Sequence, residues 1–340
     1  MLGGTGIEVS ALMLGTMTFG ASATYMNGVT ADERDARAML DRAIGAGVDF
    51  IDTANSYSQG LTETLLGEWL GPRRDAITLA TKVGMVIPEG SEPGPPIARG
   101  LRPEQVRASC EASLRRLRTD RIDLFQLHMQ DTDVPIADTL GACADLIAEG
   151  KVRFLGCSNY TGYRLTEALH VAERHGLPRF STIQLQWSLA VRDAEREMVP
   201  AARAGGLGII AWSPLARGFL SGKIADDGTA PVGSRLAAWS SSLAALANGR
   251  NRSLLAVLRA IAREREEPPA AVPIAWLLSR DGLAAVTVGA RTPEQLDENL
   301  RAGAIELTPD EIDQLDAASK PDWGYPYAFI EGLTGREGDW

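Results

Sequence analysis

The chain has 340 residues and a mass of 36.4 kDa, with 45% apolar and 23% charged residues and a net charge of -10. That composition supplies a sizeable core, and the acidic balance excludes nucleic-acid binding, which needs a basic face. No window approaches the ~20 apolar residues that a membrane helix requires, and Cys110, Cys143 and Cys157 lack CxxC spacing. They read as buried thiols in a reducing compartment, neither bridges nor metal ligands.

The amino terminus, MLGGTGIEVSALMLGTMTFG, carries no basic segment ahead of an unbroken apolar stretch and reads as no signal peptide. Gly4-Thr-Gly6 begins a GxGxxG pattern, but Val9 stands at the third glycine, so the dinucleotide fingerprint of an open doubly wound sheet is absent. Eight short apolar runs follow in order: 12–17, 48–52, 76–82, 122–128, 152–159, 181–187, 208–213 and 284–290. Amphipathic stretches at 31–47, 102–118 and 292–302 separate some of them, with helix-start signals at Thr30-Ala-Asp-Glu, Pro103, Pro293 and Pro309. Strands apolar on both faces and alternating with helices predict parallel βαβ units, and eight of them predict a single-domain (β/α)8 TIM barrel spanning 1–340. Residues 303–340 are expected as a carboxy-terminal extension packed on that barrel.

Most runs end in polar or aromatic residues: Asp52, Lys82, His128, Ser158 with Asn159, Gln184 with Trp187, and Ser213. Singly these are ordinary caps and turn formers. At equivalent strand ends of a barrel they share the face where active sites form. Asp52 and Tyr57 lie on either side of the end of the second run, and Lys82 ends the third. A phenol titrates near ~10. A neighbouring ammonium lowers that, and two units correspond to about 2.7 kcal/mol. Asp52 would orient the lysine, and His128 would donate to a substrate oxygen or relay a proton. The set suits protonation of a carbonyl oxygen as hydride reaches its carbon.

Here the sequence resembles the aldo-keto reductase superfamily, through DTANSY, TETLLGEWL, Thr81-Lys82, LRTDRIDLFQLH, GKVRFLGCSN, GIIAWSPLARGFLSGK and GARTPEQLDEN. The resemblance implies Asp52, Tyr57, Lys82 and His128 as the catalytic tetrad. It implies Ser158, Asn159 and Gln184 as the holders of the nicotinamide amide, with Trp187 stacked on the ring, and Gly15, Thr16 and Met17 beside the cofactor. Ser213, Pro214, Leu215, Gly218 and Lys223 would wrap the pyrophosphate. Gly289, Arg291, Gln295 and Asn299 would clamp the adenosine phosphate, favouring NADPH over NADH. The GxxxGK ending of 218–223 is followed by Ile224, which removes a nucleoside-triphosphate reading. Two departures stand out. Only Met1 precedes LGGTGIEVS, so the floor hairpin of the family is expected to be shortened, or the start to lie upstream. Arg118 replaces a common glycine.

The glycine- and proline-rich connection 84–100 is expected to shape the substrate site, and 214–249 to fold over the cofactor. Met17, Phe19 and Met85 are candidates for an apolar wall; Trp323, Tyr325, Tyr327 and Phe329 either join the pocket or pack the tail. His170 and His175 read as surface residues and REREE (263–267) as a solvated helix end, with no metal site among them. The expectation is a cytoplasmic reductase of a small-molecule carbonyl, with neither nucleic-acid nor membrane partner and an open oligomeric state. Alternatives are a keto-sugar or other specialised-metabolite reductase, or a cofactor-binding regulatory subunit.

Overall fold

In the computed structural model, which describes residues 1–21, 26, 28–85 and 99–335, all eight apolar runs carry strands. They are β1 (Leu12–Gly15), β2 (Phe50–Asp52), β3 (Thr78–Val83), β4 (Ile122–Leu127), β5 (Val152–Ser158), β6 (Phe180–Gln186), β7 (Gly208–Trp212) and β8 (Leu283–Val288). Each pairs in parallel with the next, and β8 returns to β1 through Leu12–Val286 and Leu14–Val288, closing the (β/α)8 TIM barrel. Helices cover the outside. In Glu33–Gly45, Ala36, Met39, Leu40 and Ala43 form the buried stripe, and the Asp32 side chain caps the start by accepting from Asp35 N at 2.8 Å. Pro103, Pro293 and Pro309 occupy first-turn positions, where a missing N–H costs nothing.

Side chains alternate in and out along a strand. The lower interior ring is therefore Met13, Phe50, Ala80, Leu124, Ile210 and Ala285, a buried apolar cluster that includes Leu2. Leu2 enters from a short 3-10 turn, Gly3–Thr5, which stands at the floor where the resemblance implied a hairpin. Gly3 has φ +54, and a Cβ there would sit 2.1 Å from Ser181 O, so only glycine lets the chain approach this closely. Arg118 has its own backbone reason. It ends the helix Pro103–Leu117 in the left-handed region (φ 51, ψ 42), the conformation that makes glycine common at helix ends.

The three thiols are buried, and burial pushes those of Cys110 and Cys143 up to about 12. Among the described residues, no helix is long and apolar enough to cross a membrane. Helix Pro309–Ser319 packs on helix Gly249–Glu264. Beyond it Trp323 is buried, Tyr327 donates to Glu197, and Tyr325 and Phe329 are exposed.

Candidate active site

Two residues above the apolar ring, the same inward positions become polar. Phe50 is followed by Asp52, Ala80 by Lys82 and Leu124 by Gln126, and on β6 Gln184 stands two residues past the buried Thr182. Lys82 is 1% exposed, and its three N–H donors are all used. Nζ donates to Asp52 Oδ2 at 2.5 Å, to Thr53 O at 3.0 Å and to Tyr57 Oη at 3.0 Å. Burial alone would lower the lysine pKa. The Asp52 carboxylate and the Tyr57 phenol outweigh it, and the net shift is upward, so the ammonium stays charged. The other Asp52 oxygen accepts from Gln184 Nε2 at 2.9 Å and Gln126 Nε2 at 3.2 Å.

Tyr57 stands in a tight turn after β2. Ser58 (φ 45) and Gln59 (φ 54) are left-handed, a strain of order 1 kcal/mol each that surrounding contacts must hold. Ser58 Oγ donates to Phe19 O at 3.0 Å, and Thr62 Oγ1 donates to the same carbonyl at 2.8 Å. Behind Lys82, Thr81 Oγ1 donates to Glu63 at 2.5 Å, and Arg116 neutralises that carboxylate at 2.7 Å. The turn that carries the phenol and the strand that carries the ammonium are thus tied through buried bonds.

His128 follows β4, with its ring 6.0 Å from that of Tyr57, edge to face. Burial and the neighbouring Lys82 cation lower its pKa to about 3, so the imidazole is neutral at physiological pH. It can donate a hydrogen bond to an oxygen in the cavity without bringing charge.

The cavity above this cluster has a volume of about 740 Å³, ample for a dinucleotide with a small substrate. Gly15, Met17, Asp52, Tyr57, Met85, His128, Ser158, Asn159 and Gln184 line its inner part. Ser213, Pro214, Leu215, Gly218 and Lys223 continue along the tip of β7, and Gly289, Arg291, Gln295 and Asn299 lie beyond β8. The chemistry of the wall thus changes in barrel order. Hydroxyl and amide groups lie at β5 and β6, and a glycine-containing turn with a lysine at β7. At β8 an arginine precedes the N-terminus of helix Pro293–Leu300. Gln295 Oε1 accepts from Arg291 N at 3.1 Å, and Asn299 Nδ2 donates to Gly289 O at 3.2 Å, holding this last stretch in shape.

Three expected contacts do not reach the cavity. Trp187 is 1% exposed, stands edge-on to Trp276, and donates Nε1 to Glu195 at 2.8 Å. It faces out of the barrel because Gln184 and Gln186 take the inward positions. The tryptophan that does line the cavity beside Asn159 is Trp212, last residue of β7, whose Nε1 donates to Asn159 Oδ1 at 3.2 Å. Thr16 is fully buried, with Oγ1 on Asp52 O at 2.8 Å, and serves the backbone at the β1–β2 junction. Phe19 is also fully buried, with its ring 6.3 Å from that of Trp69. The connection after β7 does cover the cavity, with Pro231, Val232, Ser234, Leu236 and Trp239 in its wall. Of the connection 84–100, residues 86–98 lie outside the described residues. Among the described residues the carboxy-terminal tail adds nothing to the lining. Gln126 and Trp212 are among the site residues that the strand-end reading passed over, as are Ser56 and Gln59 on either side of Tyr57.

The Aldo/keto reductase family model matches residues 11–320. The chain is 38% identical over 313 residues to the uncharacterized oxidoreductase YrpG of Bacillus subtilis, covering 90% of this chain and 91% of the relative. It is 34% identical over 330 residues to norsolorinic acid reductase stcV of Emericella nidulans, covering 96% and 82%. Protein tas of Escherichia coli is 33% identical over 343 residues, covering 92% and 94%. A closed barrel, a buried carboxylate–ammonium–phenol cluster at its rim and these likenesses agree: the chain belongs to the aldo/keto reductase family.

Proposed function

We propose that this chain reduces an aldehyde or ketone to an alcohol with NADPH, and that Tyr57 is the general acid. When bound, the dihydronicotinamide supplies hydride to the carbonyl carbon. The observation that carries the reading is Lys82 Nζ shared between Asp52 at 2.5 Å and Tyr57 Oη at 3.0 Å in the base of the cavity. A charged ammonium beside the phenol oxygen stabilises the phenolate, which lets Tyr57 give its proton to the carbonyl oxygen near neutral pH. Asp52, braced by Gln126 and Gln184, holds the lysine in place, and neutral His128 donates a hydrogen bond that orients the carbonyl.

Ser158, Asn159 and Gln184 offer donors and acceptors for a carboxamide, and Trp212 a flat face for the ring. The turn from Ser213 to Gly218 with Lys223 suits a pyrophosphate. Arg291, at the edge beyond β8, suits a 2′-phosphate and so NADPH ahead of NADH. The chain works in this reading as one barrel domain in a reducing cytoplasm, a setting supported by its three buried thiols.

The test is NADPH consumption across aldehydes, quinones, aromatic ketones, keto-sugars and norsolorinic acid, the last after the name of the fungal relative. Tyr57→Phe is expected to lower turnover by roughly 10²–10⁴-fold with dinucleotide affinity unchanged. Near-wild-type turnover would overturn the acid assignment.

A further inference from the structure

Two buried ion pairs brace the barrel wall beside its strands. Arg74 and Asp123 meet at 2.8 Å, and Glu63 and Arg116 meet at 2.7 Å with side chains no more than 3% exposed. Apolar residues often replace such a pair without loss, so its burial asks for a reason beyond stability. For Arg74 and Asp123 the reason is backbone at the starts of β3 and β4. Arg74 donates to Ile77 O and Arg121 O, and Asp123 accepts from Leu79 N.

Glu63 and Arg116 have different neighbours. Glu63 lies in the first turn of the helix Leu61–Leu70, directly after the turn that carries Tyr57. Its Oε1 accepts from Thr81 Oγ1 at 2.5 Å, and Thr81 immediately precedes Lys82. Its Oε2 accepts from Arg116 Nε at 2.7 Å. A Cβ on Gly60 would lie 3.0 Å from Arg116 Cδ and 3.1 Å from Nε, so this side chain rests on the Gly60 backbone. Gly60 (φ 92) ends the left-handed run that begins at Ser58, and Tyr57 stands at its head. Arg116 has little room to retreat. A Cβ on Gly67 would lie 2.3 Å from Arg116 O, and the guanidinium also donates to Ser113 Oγ at 3.3 Å. One side chain thus touches the end of the phenol's turn and, through one carboxylate, the residue beside the ammonium.

We infer that Glu63 and Arg116 form a positioning pair for the reaction, one that fixes the 3.0 Å separation between Tyr57 Oη and Lys82 Nζ. Neither lines the cavity among the described residues, so both act through the turn and β3. The inference rests on Tyr57 being the acid, as proposed above. The ammonium's hold on the phenolate weakens as the two part, and a misplacement of about 1 Å can slow a reaction ~100-fold.

The experiment compares wild type, Arg116→Met, the double variant Glu63→Met with Arg116→Met, and Arg74→Met as a control, all as full chains. It measures single-turnover hydride transfer from NADPH to 4-nitrobenzaldehyde across pH, NADPH Kd, and stability in urea. Arg116→Met should slow transfer about tenfold or more at unchanged NADPH Kd. The alkaline limb of its rate profile should move up by about one pH unit, because the phenol loses part of its cation. The double variant should regain stability, since no charge is stranded, while keeping the slow rate and the displaced limb. Arg74→Met should lose stability with its rate profile unmoved. A folded Arg116→Met protein with wild-type rate and limb overturns the inference, as does an equal displacement in Arg74→Met. Should Arg116→Met not fold, the double variant decides by the same readouts. If wild type reduces neither this aldehyde nor any carbonyl of the screen, the function proposed above falls instead. Ultraviolet titration of Tyr57, taken as the difference from the matching Tyr57→Phe protein, then decides the pair. A higher midpoint in the double variant than in wild type supports it, and an equal midpoint overturns it.

Discussion

Two rings of side chains share the barrel interior, about 6.6 Å apart, one full pleat repeat. The lower ring is apolar, with Phe50, Leu124 and Ile210 meeting Leu2. The upper ring is Asp52, Lys82, Gln126 and Gln184, joined by hydrogen bonds. Its glycines make the room: a Cβ on Gly156 would lie 2.5 Å from Thr182 Oγ1, and one on Gly15 2.7 Å from Thr287 Cγ2. The backbone is the same in both. What differs is how burial is made tolerable, by close apolar packing below and by mutual satisfaction of charges above. The dry lower ring keeps water from beneath Lys82, so the ammonium acts on Tyr57 in a weakly screened environment.

That contrast can be tested from both sides. Asp52→Ala strands the Lys82 charge in the interior, and we expect a loss of roughly 3–5 kcal/mol in urea unfolding. Asp52→Ala with Lys82→Met should regain most of it while carbonyl reduction stays absent; additive losses would mean that the pair is not the unit. In the lower ring, Leu124→Ala should cost about 3 kcal/mol through the cavity it leaves. Its dinucleotide Kd should not move, and a clear change would break the separation of the rings.

His128 sharpens the comparison through pH. The unfolded chain binds a proton at an ordinary histidine pKa of 6.5, whereas the buried imidazole resists until about 3. Acid therefore favours unfolding across that interval, by about 2 kcal/mol at pH 5. His128→Gln should remove that much of the stability lost between pH 7 and pH 5, measured by denaturant titration at both values. An unchanged acid dependence would mean that the imidazole takes up its proton in the folded state. The smallest effect belongs to the outer edge. Arg291→Ala should weaken NADPH about tenfold more than NADH, near 1.4 kcal/mol, and equal losses would remove the 2′-phosphate contact.

Much of this was legible in the sequence because polar residues interrupt apolar runs at strand tips. Asp52, Lys82, His128 and Ser158 were visible for that reason, and every run became a strand with ends shifted by at most two residues. Gln126 was hidden inside its run. Reading strands as apolar on both faces discards the in–out alternation that puts Gln126 two positions above Leu124. The same alternation separates the two tryptophans. Counting by twos from Ile210 brings Trp212 inward, while counting from Gln184 reaches Gln186 and leaves Trp187 outside, against Trp276.

The way Leu2 and Gly3 sit under the barrel has a consequence for synthesis. Gly3 is wedged against Ser181 and Gly208, which follow it by 178 and 205 positions. At translation speeds of about 5–20 residues per second, this segment waits roughly 10–40 s for its berth to be made. Leu2 and Gly3 thus leave the ribosome long before the strands that seat them, acting as a cork driven home once the staves are assembled.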